Sequence, residues 1–426
     1  MDTYRTAGLA VAVVSLLVCG SASAADLTAI WHAEERAGRT VATHHADRAI
    51  NPASVVKIAT SLWALARLGP AHRFETEILT TADGPDDDGV LYGDLIVVGG
   101  ADPDFHIENA FLVAEALRDS GVRHIEGDLV VNDAFWIGWE RGSAGRDPNP
   151  GRRALAMGER LRSTLVVAHW DAGTKRAWQS FAGRHGRDVT RMPGVSLSGR
   201  VRRDPEVVGG LGLVTHRSRP VVEILRRFNI HSNNDIERFE GALGSPQAMS
   251  AWLARRWGEP MGAGLRFETT SGLGVNRMNL KQIVYLLEDL STELAKHGLG
   301  PEAVLPVMNC EPSTLTKLFR SLASDHSADA MTGKTGTLTT TDGGISALAG
   351  YLGSGPGALG FVVAVPGCGS RLWEARAAIE DQVSALLATR KRPPLRPACP
   401  SPVGTSDVGA QVVVARIGPS SGRGRP

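Results

Sequence analysis

The sequence predicts an α+β fold in which one antiparallel sheet, built from both ends of the folded chain, is flanked by helices and carries a β-rich insertion. Two observations predict it. Strand-like patterns occur near both ends of the chain, whereas helical patterns dominate from about residue 220 to residue 323. Pairing the last strands with the first ones places the intervening helices on the faces of a single sheet.

The first strands are predicted at residues 27–32 and 40–43, and a helix with an apolar stripe starts near Ser54 and ends at Gly69-Pro70. A closing amphipathic helix is expected at 373–389. Between them we expect further helices and then the last strands of the sheet. The helices are placed at 218–228, 233–243, 246–257, 279–297 and 313–323, and the strands at 334–338, 344–352 and 359–365.

These patterns divide the chain into a main domain, residues 25–69 and 221–390, and an inserted region, residues 70–220. The inserted region is predicted to be β-rich, with strands at 91–98 and 128–131 and a helix at 108–119. Its stretch 138–162 is rich in Gly, Arg and Pro and is interpreted as loops. Residues 391–426 are rich in Pro, Gly, Ser and Arg, which predicts a disordered tail.

The first 24 residues have the pattern of a cleavable signal peptide. Arg5 precedes an apolar run at 7–18, and Ala22-Ser23-Ala24 offers small residues for cleavage. The apolar run is shorter than the roughly 20 residues that a membrane-spanning helix needs. We therefore expect a periplasmic or secreted protein.

Composition excludes several classes of function. A net charge of +1 in 426 residues argues against a nucleic-acid partner. The absence of CxxC and HExxH motifs leaves no predicted metal site, and no cofactor is expected. Of the cysteines, Cys310 and Cys368 either form a disulfide in an exported protein or are isolated small buried residues.

The first element with catalytic chemistry is Ser54-Val55-Val56-Lys57, at the start of the first long helix. Residues i and i+3 share one helix face, so Lys57 reaches the Ser54 hydroxyl. A desolvated lysine can lose its proton and then serve as the base that activates a serine nucleophile. Taken alone, the same spacing also arises by accident on helix surfaces.

The second element, Ser232-Asn233-Asn234, precedes a helical pattern. Ser232 can relay a proton to a leaving amine, and the Asn234 amide can both donate to and accept from a peptide substrate. The alternative is simple helix capping by Ser or Asn.

The third element, Lys334-Thr335-Gly336-Thr337, opens a strand. Lys334 can hold a carboxylate, Gly336 lets a substrate backbone approach closely, and the Thr337 N–H can point at a reacting carbonyl. The alternatives are a polar strand start or part of a phosphate-binding loop. The phosphate loop fails because the Gly that it requires five positions before Gly333 is absent.

In this order, the three elements are the signature of penicillin-binding proteins and class A β-lactamases. Their flanks resemble the D-alanyl-D-alanine carboxypeptidase/endopeptidase family of low-molecular-mass penicillin-binding proteins, typified by penicillin-binding protein 4. The resemblance covers about 27–390 and is weakest at 140–205. It is carried by residues 51–57, 68–70, 99–103, 127–135, 232–234, 271–273, 334–338 and 347–352.

The resemblance implies a penicillin-binding/serine β-lactamase-like transpeptidase fold and a serine-type carboxypeptidase. In that family's chemistry Ser54 is acylated, Lys57 is the base and Ser232 relays the proton. The remaining matched residues, Asn234, Lys334, Thr335, Gly336 and Thr337, bind substrate. Asn234 positions it, Lys334 holds its terminal carboxylate, and the Ser54 and Thr337 amides form the oxyanion hole. The expected partners are peptidoglycan stem peptides, with β-lactam antibiotics as inhibitors and peripheral association with the cell wall.

Two alternatives remain on this fold: a catalytically dead peptidoglycan-binding protein, and a β-lactamase or esterase. The stretch between Ser54 and Ser232 is far longer than in β-lactamases and somewhat shorter than in many family members. This length keeps the first alternative open, because part of the insertion is expected to be shortened. Against the second, the sequence offers no extra base comparable to the glutamate of class A β-lactamases. Ser271, in Ser271-Gly272-Leu273, is interpreted as a structural turn.

Overall fold

The computed structural model describes residues 27–36, 38–138, 147–207, 209–324, 326–390 and 394–415. The predicted signal peptide, residues 1–24, lies outside these ranges. No helix within them is both long enough and apolar enough to cross a membrane.

Strands lie at both ends of the described chain and in the inserted region. They are β1 Ile30–Glu35, β2 Thr40–His44, β3 Glu75–Thr80, β4 Val90–Leu91, β5 Leu95–Gly99, β6 His124–Ile125, β7 Leu129–Val131, β8 Ser196–Leu197, β9 Val201–Arg203, β10 Leu211–Arg217, β11 Met331–Leu338, β12 Ile345–Leu352, β13 Leu359–Pro366 and β14 Gln411–Val414.

Helices fill most of the chain between the terminal strands. They are α1 Val56–Leu68, α2 Ile107–Asp119, α3 Pro150–Leu165, α4 Ala172–Arg184, α5 Val221–His231, α6 Glu240–Leu243, α7 Pro246–Trp257, α8 Leu280–Ala295, α9 Thr314–Leu318, α10 Arg320–Ser324 and α11 Leu372–Ala388. Short 3₁₀ turns at Ala53–Val55 and Asn234–Phe239 precede α1 and α6.

The predicted fold class is confirmed in the main domain. A five-stranded sheet in the order β11-β12-β13-β1-β2 combines both ends of the chain, and its neighbouring strands are antiparallel. Side chains of β12 alternate between its faces. Ala347 and Ala349 pack with α1 and α8 on one face, whereas Leu348 and Leu352 pack with α11 on the other. Helices therefore cover both faces of the sheet.

The inserted region builds two further sheets. One has the order β14-β10-β3-β5-β7-β9 and the other is β4-β6-β8. Helices α2 and α3 pack on them through a separate apolar core. The region therefore has its own hydrophobic interior.

Helix α3 of the inserted region lies largely within the stretch 138–162 that was interpreted as loops, and α4 lies where no element was predicted. Asn149 caps α3 by accepting from the Arg152 amide, and Pro150 occupies its first turn, a position that tolerates proline. The buried residues of α3 recur at helical spacing: Ala154, Met157, Leu161 and Leu165. This stripe was readable from the sequence, but the Gly and Arg residues interspersed with it obscured it.

The prediction of a disordered tail is wrong for residues 394–415, which we call the C-terminal strap. Cys399 forms a disulfide with Cys310, and β14 pairs antiparallel with β10 of the inserted region. The Arg219 side chain also donates to the Thr405 carbonyl. A covalent bond and a sheet edge therefore order a segment whose composition alone does not favour folding.

Of the two alternatives for Cys310 and Cys368, the disulfide between them is wrong. Cys310 pairs with Cys399, and Cys368 is a buried free thiol in the apolar core beneath α11. The partner was not apparent from the sequence because Cys399 lies in the segment interpreted as disordered.

Candidate active site

Ser54 lies in a tight turn at the start of the helical segment that continues as α1. Ala53 before it has φ 49°, a left-handed value that is unusual for a residue with a side chain. Ser54 is partly exposed, whereas Ala53 and Val55 on either side of it are fully buried. The turn therefore presents one hydroxyl from an otherwise closed surface.

Lys57 lies one turn further along, fully buried, and its Nζ is 3.0 Å from the Ser54 Oγ. The same nitrogen donates to the Asn234 Oδ1 at 2.8 Å and to the Ser271 carbonyl at 2.7 Å. A neutral amine has two N–H donors and one lone pair. Two fixed acceptors can therefore take both donors and leave the lone pair directed at the Ser54 hydroxyl.

The segment with Ser232 and Asn234 connects α5 to the 3₁₀ turn Asn234–Phe239. Ser232 ends α5 in a left-handed conformation, with φ 52°. The chain thereby turns toward Lys334, and we call the space around Ser54, Lys57, Ser232 and Lys334 the cleft. The Asn233 side chain caps the 3₁₀ turn by accepting from the Asp235 amide. Helix capping is thus real here, but Asn233 performs it, which leaves the Asn234 side chain to contact Lys57.

Lys334 lies on β11, an edge strand of the main sheet, and is fully buried. Its Nζ donates to the Ser232 Oγ at 2.8 Å and to the Thr335 carbonyl at 2.9 Å. The Thr335 hydroxyl donates to the Thr314 Oγ1 at 3.1 Å. Lys334 therefore connects the second and third sequence elements directly.

Gly336 faces the nucleophile turn. A Cβ added there would lie 2.7 Å from the Pro52 carbonyl oxygen, closer than side-chain carbons approach backbone oxygens. Only glycine lets β11 pass this close to Ser54.

The Thr337 amide points away from the sheet. Amides of alternate strand residues share one side, and the Gly333 N–H bonds to the Pro306 carbonyl outside the β11–β12 pair. The Thr335 and Thr337 amides therefore face the same open edge. Since Gly336 packs against the Ser54 turn, the Thr337 amide is a candidate donor to an oxyanion formed at Ser54.

Both buried lysines have unusual acidity. Burial lowers the pKa of Lys57 from 10.5 to about 7, against an opposing effect of the Glu237 carboxylate. Burial, together with repulsion from Lys57, lowers the pKa of Lys334 well below its usual value. At neutral pH a substantial fraction of Lys57 is thus the free amine that a general base must be.

The structure brings together all the site residues that the sequence pointed to: Ser54, Lys57, Ser232, Asn234, Lys334, Thr335, Gly336 and Thr337. The sequence analysis missed Thr314, for which no local signal exists. It treated Ser271 only as a turn, although its carbonyl binds Lys57. Within the described ranges, no group of three or more His, Cys, Asp or Glu side chains is placed to hold a metal ion.

Comparison with known proteins places this site in a family context. A model of the D-Ala-D-Ala carboxypeptidase 3 (S13) family matches residues 23–149 and 174–390. A D-alanyl-D-alanine carboxypeptidase from Actinomadura sp. (strain R39) is 38% identical over 90 residues, which are 21% of this chain and only 16% of that relative.

Several solved structures share the fold. A penicillin G-acylated predatory endopeptidase from Bdellovibrio bacteriovorus, in complex with an immunity protein, has a TM-score of 0.71 at 21% identity, covering 92% of this chain and 100% of that one. Penicillin-binding protein 4 from Haemophilus influenzae has a TM-score of 0.61 at 18% identity, covering 84% and 96% of the two chains.

Proposed function

The chain belongs to the D-Ala-D-Ala carboxypeptidase 3 (S13) family, and from this premise we propose that it cleaves D-alanyl-D-alanine stem peptides of peptidoglycan through an acyl-enzyme at Ser54. The observation that carries the proposal is the contact between the Ser54 Oγ and the buried, weakly basic Nζ of Lys57, 3.0 Å apart. A serine hydroxyl becomes a nucleophile when an adjacent base can take its proton.

In the proposed reaction the Ser54 oxygen attacks the carbonyl carbon between the two D-alanines, and its proton passes to the Lys57 amine. The Ser54 and Thr337 amides stabilise the negative charge on the carbonyl oxygen. The C–N bond then breaks as Ser232 relays the proton held by Lys57 to the leaving amine, so that Ser232 keeps its hydroxyl and Lys57 is again a free amine. Water then attacks the ester and gives a proton to Lys57, which returns it to the Ser54 oxygen as the C–O bond breaks and the shortened peptide leaves with a free carboxylate.

Substrate binding is assigned to the other matched residues. The terminal carboxylate lies beside Lys334 and Thr335, and its negative charge favours the ammonium form of Lys334. Asn234 positions the peptide while its Oδ1 holds Lys57. Gly336 leaves room for the substrate backbone along β11. Cross-links between D-alanine and meso-diaminopimelate present the same bond, so endopeptidase action uses the same groups.

The proposal includes export to the periplasm or outside the cell, with peripheral association to the cell wall. The predicted signal peptide, residues 1–24, motivates it. The Cys310–Cys399 disulfide supports it, because disulfides persist in oxidising compartments.

Benzylpenicillin tests the proposed chemistry, since β-lactams acylate this class of serine. Mass spectrometry of the intact protein should show one stable adduct, located after digestion on the peptide that contains Ser54. Ser54→Ala, checked for folding by circular dichroism, should show none. Absence of an adduct in the wild type favours a peptidoglycan-binding protein without activity, and rapid penicillin turnover favours a β-lactamase. Purified muropeptides then distinguish loss of a terminal D-alanine from cleavage of cross-links.

A further inference from the structure

A buried carboxylate, Glu237, lies behind Lys57. It belongs to the 3₁₀ turn that begins at Asn234, and only 3% of it is exposed. Its Oε1 accepts a hydrogen bond of 2.5 Å from the Ser271 Oγ, while the Ser271 carbonyl accepts one from Lys57. A single residue, Ser271, thus connects the carboxylate to the amine that faces Ser54.

The turn around Ser271 has little freedom to move. Gly272 has φ 90°, and a Cβ there would lie 1.9 Å from the Ala53 carbonyl oxygen, so only glycine fits. The Thr269 hydroxyl donates to the Leu273 carbonyl at 2.8 Å and accepts from the Gly272 amide at 3.1 Å. The turn is therefore packed directly against the residue that precedes Ser54.

We propose that Glu237 is a positioning residue for the general base: it fixes the Ser271 carbonyl against Lys57 and supplies the negative charge that stabilises the ammonium formed when Lys57 takes the Ser54 proton. The inference rests on the proposed function and adds a residue to it. Glu237 acts through Ser271 and through its charge, without touching the substrate.

The electrostatics agree with this geometry. Burial lowers the pKa of Lys57 to about 7, and Glu237 opposes that decrease. The pKa of Lys334 is lowered by burial and also by Lys57, since two cations buried close together repel each other. Without Glu237, Lys57 would be a weaker base and would hold the proton less well in the tetrahedral intermediate.

The other charged side chains near Glu237 and Ser271 make contacts with different partners. Asp235 and Arg238 pair with each other at 3.8 Å, Glu240 accepts from the Thr270 hydroxyl at 3.0 Å, and Glu268 accepts from the Val275 amide. Glu240 provides a matched control. It lies three residues from Glu237 and binds the neighbouring threonine of the same loop.

The test compares Glu237→Gln with Glu240→Gln. Glutamine keeps the shape and an acceptor for Ser271 but removes the charge. The measurement is the second-order rate constant for acylation by a fluorescent penicillin between pH 5 and 9. In Glu237→Gln the acidic limb should move to lower pH by about 1 unit, and the alkaline plateau should fall about threefold because a weaker base is less efficient. Glu240→Gln should keep the wild-type profile.

A limb that stays in place or moves to higher pH overturns the inference, even if the overall rate falls, because a purely structural defect lowers the rate without moving the limb. Should Glu237→Gln not fold, Ser271→Ala decides, since it removes the hydroxyl link and keeps both charges. Its plateau should fall, and a plateau within twofold of the wild type overturns the inference. If the wild type itself is not acylated at Ser54, the proposed function fails instead, so the two failures are distinguishable.

Discussion

The cleft and the junction between the main domain and the inserted region both bury charged side chains, but they surround them differently. In the cleft, the Nζ atoms of Lys57 and Lys334 contact neutral groups: two hydroxyls, one side-chain amide and two backbone carbonyls. At the junction, Asp104 is buried against Arg227, with Arg219 at 3.5 Å and His106 at 3.3 Å.

Both surroundings lower a pKa, but the consequences for the charged form of the side chain are opposite. Burial would raise the pKa of Asp104, but Arg227 and His106 outweigh it and lower the pKa. In the cleft nothing of equal strength opposes burial, and the pKa of Lys57 falls to about 7. A charge buried among opposite charges stays ionised and holds structure together. A charge buried among neutral groups becomes reactive, at some cost in stability.

The largest effect should follow Lys57→Arg. Arginine keeps a positive charge in the cleft but cannot be deprotonated in a protein, so it cannot accept the Ser54 proton. Acylation by a fluorescent penicillin should fall by about 10²–10⁴. Circular dichroism and thermal unfolding check that the variant is folded. A folded variant that acylates within tenfold of wild type would show that another group activates Ser54.

Asp104→Asn should destabilise the fold and spare the chemistry. Asparagine has the same shape but removes the buried negative charge that pairs with Arg227 and Arg219, and breaking a buried ion pair from one side typically costs about 3–5 kcal/mol. Urea unfolding measures the loss, and acylation under native conditions should stay close to that of the wild type. Asp147→Asn is the control, because it breaks an exposed pair with Arg152 and should leave stability unchanged within error. An equal loss of stability in the two variants would show that the buried ion pairs at the junction stabilise the fold no more than an exposed pair does.

The C-terminal strap should contribute stability to the junction and nothing to the cleft. Replacing both Cys310 and Cys399 by Ser removes a cross-link between residues 89 positions apart, which typically costs about 2–4 kcal/mol. Limited proteolysis should then cut within 394–415, while acylation of the folded protein persists. Wild type treated with a reductant should behave in the same way, and the reductant should not alter the variant. Loss of acylation in the folded variant would instead connect the strap to the cleft.

The cleft was easier to predict from the sequence than the junction, and the reason is physical. Ser54 and Lys57 are three residues apart, and Lys334 to Thr337 are consecutive, so local spacing already constrains how their side chains are placed. The strands of the main sheet also follow short-range patterns: residues 359–365 were predicted, and β13 covers Leu359–Pro366.

The junction and the C-terminal strap are held in place by contacts between residues that are distant in the sequence. Asp104 and Arg227 lie more than a hundred residues apart, and Cys399 meets Cys310 only because the strap returns along the main domain. Glu237 follows the second element by three residues, but its contact with Ser271 exists only in the folded cleft. Composition and periodicity carry no information on such pairings.

The stability cost of burying Lys57 should appear as a change in the free energy of unfolding with pH. With a pKa of about 7 in the folded protein and 10.5 as its ordinary value, Lys57 is protonated in the unfolded chain and largely neutral in the folded one between these pH values. The unfolded state then binds more protons, so this residue makes the free energy of unfolding rise with pH, by at most about 1.4 kcal/mol per pH unit. Lys57→Met removes that contribution and the cost of burying the charge.

The Met variant should therefore be more stable than the wild type at pH 7, and its advantage should shrink as the pH rises toward 10. Chemical unfolding of both proteins at pH 7, 8, 9 and 10 measures the difference. Lys281→Met is the control, because it removes the charge of an exposed lysine that pairs with Asp47. Comparing the two variants distinguishes the effect of removing a buried charge from the effect of removing any positive charge. A difference between Lys57→Met and the wild type that stays constant over this range would mean that Lys57 remains ionised in the fold. The contrast between a reactive cleft and a structural junction would then need another physical basis.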